Sequence, residues 1–115
     1  MEVLFNAEGA QEAEQLIALL CVGVCAALKS GAMSINEAET RIFSPYTMSA
    51  LERLGVSERA IELIHMGTEL EDVESLRPSG LTAAIDELSD KACDLLKGMP
   101  SRPLPCERWV KWPSK

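Results

Sequence analysis

The side chains with the most potential for chemistry in this sequence are cysteines at helical spacing. Cys21 and Cys25 lie one helical turn apart, so their thiols share a face, and Cys93 could supply a third metal ligand. Structural zinc sites, however, usually draw paired ligands from turns, with a second pair downstream. These cysteines are embedded among Leu, Val and Ala, and free cysteine is among the most buried residue types. We therefore expect core thiols and no metal site.

His65, the only histidine, is the one side chain expected to titrate near neutral pH. Pairing it with a cysteine would supply a nucleophile and its base. It is predicted in the last turn of a helix, where the terminal carbonyls favour an imidazolium, while the thiols lie in apolar or acidic surroundings. The seven glycines occur singly, without a phosphate-binding motif. We expect a structural histidine, no catalytic residue and no cofactor.

Acidic side chains form two clusters on predicted helices. Four belong to a short helix, and three repeat every four residues on the outer face of the last helix: Glu69, Glu71, Asp72 and Glu74, then Asp86, Asp90 and Asp94. A solvated face is one interpretation. The other is a docking surface for a cationic partner, because a single-sign ladder is less usual on a merely soluble helix than alternating signs. No calcium-binding loop motif is present, so a calcium site is not expected.

Both tryptophans, Trp109 and Trp112, lie in a proline-rich C-terminal segment. Its prolines preclude regular helix over most of residues 99–115, which we predict to be an extended basic tail after a helical domain at 1–98. The tryptophans could dock into a groove on their own body or anchor a partner chain. Both interpretations stay open at this point.

Length and composition indicate one folded, acidic domain. A chain of 115 residues with 47% hydrophobic and 25% charged side chains resembles an ordinary globular domain. The net charge of −7 argues against a phosphate-binding surface, so direct nucleic-acid binding is not expected. Residues 1–98 carry seventeen acidic and seven basic side chains, whereas residues 99–115 carry one and four. An acidic body of this kind suits a basic partner or a basic tail that folds back.

The longest apolar run, Leu16–Leu28, is shorter than the roughly 20 residues that cross a bilayer. The residues before it carry glutamates and neither Lys nor Arg, unlike the positive start of a secretory signal. We therefore expect a cytoplasmic protein without a membrane span, in a compartment that keeps its thiols reduced.

Capping residues predict a compact all-α bundle of about five to six helices. The first helix should span residues 11–29, apolar on every side and hence buried, and should end at Gly31. Ser34 with Glu37 forms a capping box for the second helix. Ser44 and Ser57 should cap the third and fourth helices. Gly55 and Gly67 should follow the ends of the third and fourth helices.

The second half of the chain carries two further helices and few strand signals. Thr68 with Glu71 predicts a capping box for a short acidic helix that ends before Pro78. Ser79 should cap the last helix, which ends at Gly98. One apolar stripe runs along that helix: Leu81, Ile85, Leu88, Ala92 and Leu95. The only extended segment expected in the body is a short arm at residues 3–5.

A family resemblance rests on Ile42–Thr47, Leu51–Ser57 and Ile64–Leu76, together with Ile85–Leu88. These segments resemble a family of small bacterial proteins of unknown function over roughly residues 10–97. In size and charge the chain also looks like the immunity proteins encoded beside bacterial toxins, which are often acidic because they block basic nucleases. This likeness implies a non-enzymatic protein that binds and neutralises a cationic toxin domain. The alternative is a helical adaptor or regulatory subunit that binds a partner through an apolar groove.

Overall fold

The computed structural model describes residues 2–100 and 108–111, and helices dominate it. Six α-helices follow in chain order: α1 (Gly9–Ser30), α2 (Ile35–Arg41), α3 (Pro45–Arg53), α4 (Glu58–Thr68), α5 (Leu70–Leu76) and α6 (Leu81–Lys97). Two strands of two residues each, β1 (Leu4–Phe5) and β2 (Val110–Lys111), form an antiparallel ribbon. The predicted all-α fold is confirmed. The ribbon joins the predicted N-terminal arm to the C-terminal segment.

The core is built on the packing of α1 against α6, with α4 against both helices. The stripe predicted on α6 faces inward: Ile85, Leu88, Ala92 and Leu95 are buried, and Leu81 is partly buried. Helix α4 adds Leu63 and Ile64, which are also buried. Because these positions recur every three or four residues, each helix contributes one continuous apolar face to the same core.

Helix α1 is less enclosed than its composition predicts. Its buried apolar side chains lie on one face, and Leu19 on another face remains 50% exposed. The prediction of a helix buried on every side is therefore wrong, because α6 and α4 cover only part of its circumference. The 22-residue helix contains a stretch of mean hydropathy 1.6. By length and composition alone it could cross a membrane, a test that core helices of soluble proteins also pass.

Three predicted helix starts are confirmed in detail. Ser34 and Glu37 form the reciprocal capping box of α2, and the hydroxyls of Ser44 and Ser57 accept hydrogen bonds from the backbone three residues on. The backbone N–H of Ser57 also donates to the carboxylate of Glu14 in α1. Glu14 thus satisfies an orphan donor of α4 from a neighbouring helix, which ties the two helices together.

The starts of α5 and α6 differ from the prediction. Thr68 does not cap α5: it is the last residue of α4, and its hydroxyl donates to the carbonyl of His65 at 2.6 Å. The residue before α5 is Glu69, whose backbone angles lie in the αR region and whose side chain makes no cap. Ser79 does not cap α6 either, because Pro78–Gly80 form a 3-10 turn that leads directly into it. Both junctions therefore continue one helical turn into the next, without the extended N-cap residue that a hydroxyl cap requires.

Gly67 lies inside α4 rather than beyond its end, which corrects the predicted boundary. A Cβ atom at this position would approach the ring of Phe43 to 2.3 Å at Cγ. The Phe43 side chain is 1% exposed, so the ring sits in the core directly against the α4 backbone. The close approach requires a residue without a side chain, and packing rather than helix termination explains this glycine.

Candidate functional site

The cysteines of the described residues are core or partly buried thiols. Cys21 and Cys25 are buried in α1, as predicted, and Cys93 in α6 is half-buried. Burial, followed by the neighbouring Cys25, raises the pKa of Cys21 to about 12. Burial, followed by the charges of Asp86 and Cys93, raises the pKa of Cys25 to about 11. Both thiols stay protonated at neutral pH, which makes them poor nucleophiles and poor metal ligands.

Cysteine alkylation should follow this order of burial. A brief iodoacetamide pulse at pH 7.5 is expected to modify Cys93 before Cys21 and Cys25, because the thiolate is the reactive form and both core thiols are protonated and enclosed. Mass spectrometry of the digested protein measures the modified fraction at each site. Denaturant should make the rates similar. Equal rates in the native protein would contradict the core placement of Cys21 and Cys25.

His65 lies on the surface in the last turn of α4, where it was predicted. Its Nδ1 atom is 3.8 Å from Oε2 of Glu62 and 3.6 Å from Oε1 of Glu69. These separations fit attraction to two carboxylates when the imidazole is protonated, but they are too long for hydrogen bonds. Cys21 and Cys25 are in the core while His65 is about half exposed, so the structure does not bring them together as nucleophile and base.

The first acidic cluster is exposed to solvent. Glu69, Glu71, Asp72 and Glu74 are all exposed around α5, and we call them the α5 acidic surface. Glu71 and Asp72 belong to the first turn of α5, where negative charge complements the helix N-terminus. Glu69 precedes α5 at its N-cap position, so Glu74 is the member of the cluster that lies away from the helix N-terminus. This surface remains the strongest candidate for binding a cation-rich partner.

The second acidic cluster does not act as one ladder. Asp86 binds Lys29 of α1 at 2.6 Å, and this hydrogen bond is the main cause of a raised pKa at Lys29. Asp90 lines the same groove between α1 and α6, whereas Asp94 lines a different groove, beside Lys91 and Arg59. Each carboxylate thus has a cation nearby. The regular spacing along α6 places them against two different neighbouring helices.

Glu39 of α2 is a site residue that sequence reasoning missed. Its Oε1 atom is enclosed and has no hydrogen-bond partner among residues 2–100 and 108–111. Burial is the main cause that raises the pKa of Glu39, followed by the neighbouring Glu71 carboxylate and by the charges of Asp72 and Glu74. Glu39 lies three residues after Asn36 in a short helix, and this local sequence does not predict its contact with the carboxylates of α5. The folded chain therefore places a fifth carboxylate at the edge of the α5 acidic surface.

A Glu39→Gln substitution should reveal this repulsion as a pH-dependent change in stability. In the fold the pKa of Glu39 lies above its ordinary 4.5, so the ionised form is disfavoured relative to the unfolded chain. At pH values above that raised pKa, the substitution should raise the melting temperature of the protein. This increase should fade as the pH drops towards 4.5. Thermal melts from pH 4 to pH 8 measure it. An advantage that is constant across this range would contradict the electrostatic cause.

The two tryptophans are only partly described. Trp109 is half-buried, and its carbonyl accepts a 2.8 Å hydrogen bond from the backbone N–H of Asn6, next to the β1–β2 ribbon. This contact holds residues 108–111 against the N-terminal arm. Trp112 lies outside the described residues. The backbone of Trp109 is therefore paired with the N-terminal arm of its own chain.

The comparisons with known proteins give a family without an assigned activity. A family described as protein of unknown function (DUF3969) matches residues 8–111 of the chain. No curated protein and no solved structure matches the chain. The matched range includes all six helices, and it contains both the α5 acidic surface and the Phe43–Gly67 contact.

Proposed function

Because the chain belongs to the DUF3969 family, whose function is unknown, we propose a role from its own surface. The protein is a non-enzymatic binding protein that recognises a cationic protein partner through the α5 acidic surface. The observation that carries this proposal is the exposure of four carboxylates around one short helix, with Glu39 and its raised pKa beside them. Such a concentrated negative field steers and orients a positively charged partner.

The placement of the reactive side chains supports binding over catalysis. Cys21 and Cys25 are enclosed and protonated, and His65 lies on the surface between two glutamates. A catalytic nucleophile needs a base within hydrogen-bond reach and a thiolate-favouring environment. The α5 acidic surface, by contrast, needs only a partner of opposite charge.

The most concrete form of this proposal is an immunity protein for a basic bacterial toxin, such as a nuclease. A nuclease presents cationic side chains where it holds nucleic-acid phosphates, and an acidic protein surface can occupy that position. Neutralisation then follows from occlusion of the substrate site and requires no reaction. The alternative is a helical adaptor whose partner fills an apolar groove. A charge-driven complex associates faster at low ionic strength, whereas a groove-driven complex responds little to salt.

Charge reversal on α5 tests the proposal. The variant replaces Glu71, Asp72 and Glu74 by lysine, and its control replaces Glu2, Glu8 and Glu52, which are also exposed, for the same change in net charge. Proteins captured on the immobilised parent chain are compared with those captured on both variants. For a partner so identified, association with the α5 variant should be slower by about tenfold or more at low salt, because steering raises on-rates by about 10 to 10³.

The fold must survive for this comparison to be informative. All three α5 positions are exposed, and their reversal removes repulsion on Glu39, so far-ultraviolet circular dichroism should remain helical. Toxin protection in cells should fall together with the association rate. Equal loss in both variants would indicate a response to net charge alone, and unchanged binding by the α5 variant would contradict the proposed surface.

A further inference from the structure

The α5 acidic surface borders an apolar groove between α5 and α6. The groove has a volume of about 380 Å³, and its apolar part is formed by Val73, Leu76, Ala83 and Ala84. Leu76 is the unusual member, because its side chain is 84% exposed although leucine is typically a core residue. The last turn of α5 thus presents a large apolar side chain to solvent beside an opening in the surface.

Charged side chains frame this groove unequally. Asp72 and Glu87 line it directly, and Arg77 is the cation among its lining residues. The Arg77 guanidinium lies against Gly80, about 3 Å from where a Cβ atom would stand. Asp72 is the member of the α5 acidic surface that lines the groove, whereas Glu71 and Glu74 act on Glu39 of α2. The lining therefore carries two carboxylates and one guanidinium around an apolar floor.

We infer that this groove binds an amphipathic cationic segment of the partner, which inserts a leucine-sized apolar side chain beside Leu76 while its lysines or arginines face Asp72 and Glu87. The inference rests on the proposed binding of a cationic partner and names the segment that is recognised. Charge complementarity selects the rim contacts, and removal of Leu76 and the inserted side chain from water holds the segment in place. This arrangement matches the usual division of a protein interface into an apolar centre and a polar rim.

Two synthetic peptides separate the apolar contribution from the charge. Both have the same length and the same number of lysines, and one carries leucines along a helical face where the other carries serines. Fluorescence anisotropy measures their binding to the full chain. The leucine peptide should bind at least about tenfold more tightly than the serine peptide, because burial of a leucine side chain is worth at least that ratio.

Variants of the chain locate that difference. Ala83→Trp fills the groove from an exposed position, and Leu76→Ser removes its exposed apolar side chain. Either change should reduce the advantage of the leucine peptide to about twofold. Ala50→Trp, at an exposed position of α3, is the matched control and should leave the advantage unchanged. Circular dichroism melts confirm that each variant is folded.

The outcomes distinguish this inference from the proposed function. Equal binding of both peptides, or an advantage that survives Ala83→Trp, would overturn the groove while the acidic surface stands. If lysine substitution of Glu71, Asp72 and Glu74 leaves both peptides bound as before, the cationic partner itself is contradicted. Sedimentation measures whether the chain associates with itself. If the tighter binding of the leucine peptide disappears when the chain is self-associated, the groove binds a second copy of the chain and the inference is overturned.

Discussion

Gly67→Ala is expected to destabilise the protein by about 3 kcal/mol, although alanine is the better helix former. The added Cβ atom would lie 2.3 Å from Cγ of Phe43, far inside the contact distance of two carbons. The ring cannot swing aside because it is enclosed in the core. The backbone of α4 must therefore shift, and urea unfolding at 25 °C measures the cost.

Gly23→Ala is the matched control for this substitution. Gly23 lies inside α1, and a Cβ atom there would meet nothing within 4 Å. The same chemical change should therefore stabilise the protein by about 0.5–1 kcal/mol, because alanine loses less backbone entropy on folding. A second test is Phe43→Leu in the Gly67→Ala background, which should recover part of the lost stability. If Gly67→Ala and Gly23→Ala behave alike, the Phe43 contact does not explain the glycine.

Leu88→Ala is expected to destabilise the protein by about 3–5 kcal/mol. Leu88 has no exposed surface and lies on the face of α6 that packs against the core. Truncation leaves a cavity in the core, into which the neighbouring helices cannot fully collapse. The change in free energy of unfolding comes from urea titration followed by circular dichroism.

Leu76→Ala makes the same truncation on the surface. Because Leu76 is almost fully exposed in the folded chain, its loss should change stability by less than about 0.5 kcal/mol. The contrast isolates burial, since the residue type and the atoms removed are identical. A cost at Leu76 close to that at Leu88 would mean that the groove between α5 and α6 is filled in solution.

The sequence correctly predicts the helix starts at which the hydroxyl residue directly before the helix has an extended backbone conformation. Ser34, Ser44 and Ser57 all have this geometry and all form the expected hydrogen bond. Thr68 has the same local pattern but does not cap α5, because it is the last residue of α4 and Glu69 after it keeps αR backbone angles. A capping pattern encodes the hydrogen bond that is possible, whereas tertiary packing decides whether the chain turns there.

The spacing of residues in α4 supports a packing role for Gly67 in place of the predicted helix end. It stands three residues after Ile64 and seven after Ala60, both buried, so it is in phase with the inner face of α4. That phase indicates a packing glycine. Its contact with Phe43, however, joins two segments separated by a third helix, and no local pattern specifies such a pairing.

The candidate site was predictable in composition but not in arrangement. The exposed carboxylates of α5 follow directly from a short polar helix, as expected. Asp86 looked equally free along α6, yet it faces α1 and binds Lys29, while Glu87, one position further, lines the groove beside α5. Successive residues of an α-helix point about 100° apart, so Asp86 and Glu87 face different neighbouring helices. Only the packing of the helices determines these two roles.

The pairing of α1 with α6 also constrains how the chain emerges from the ribosome. Helix α1 is synthesised early, and about fifty residues follow before its main partner begins at Leu81. At about 5–20 residues per second, the apolar face of α1 waits roughly 3–10 s for α6. Nascent chains of intermediate length therefore display that face, which makes them natural clients for a chaperone. Cooperative folding can begin only when the last helix has been made.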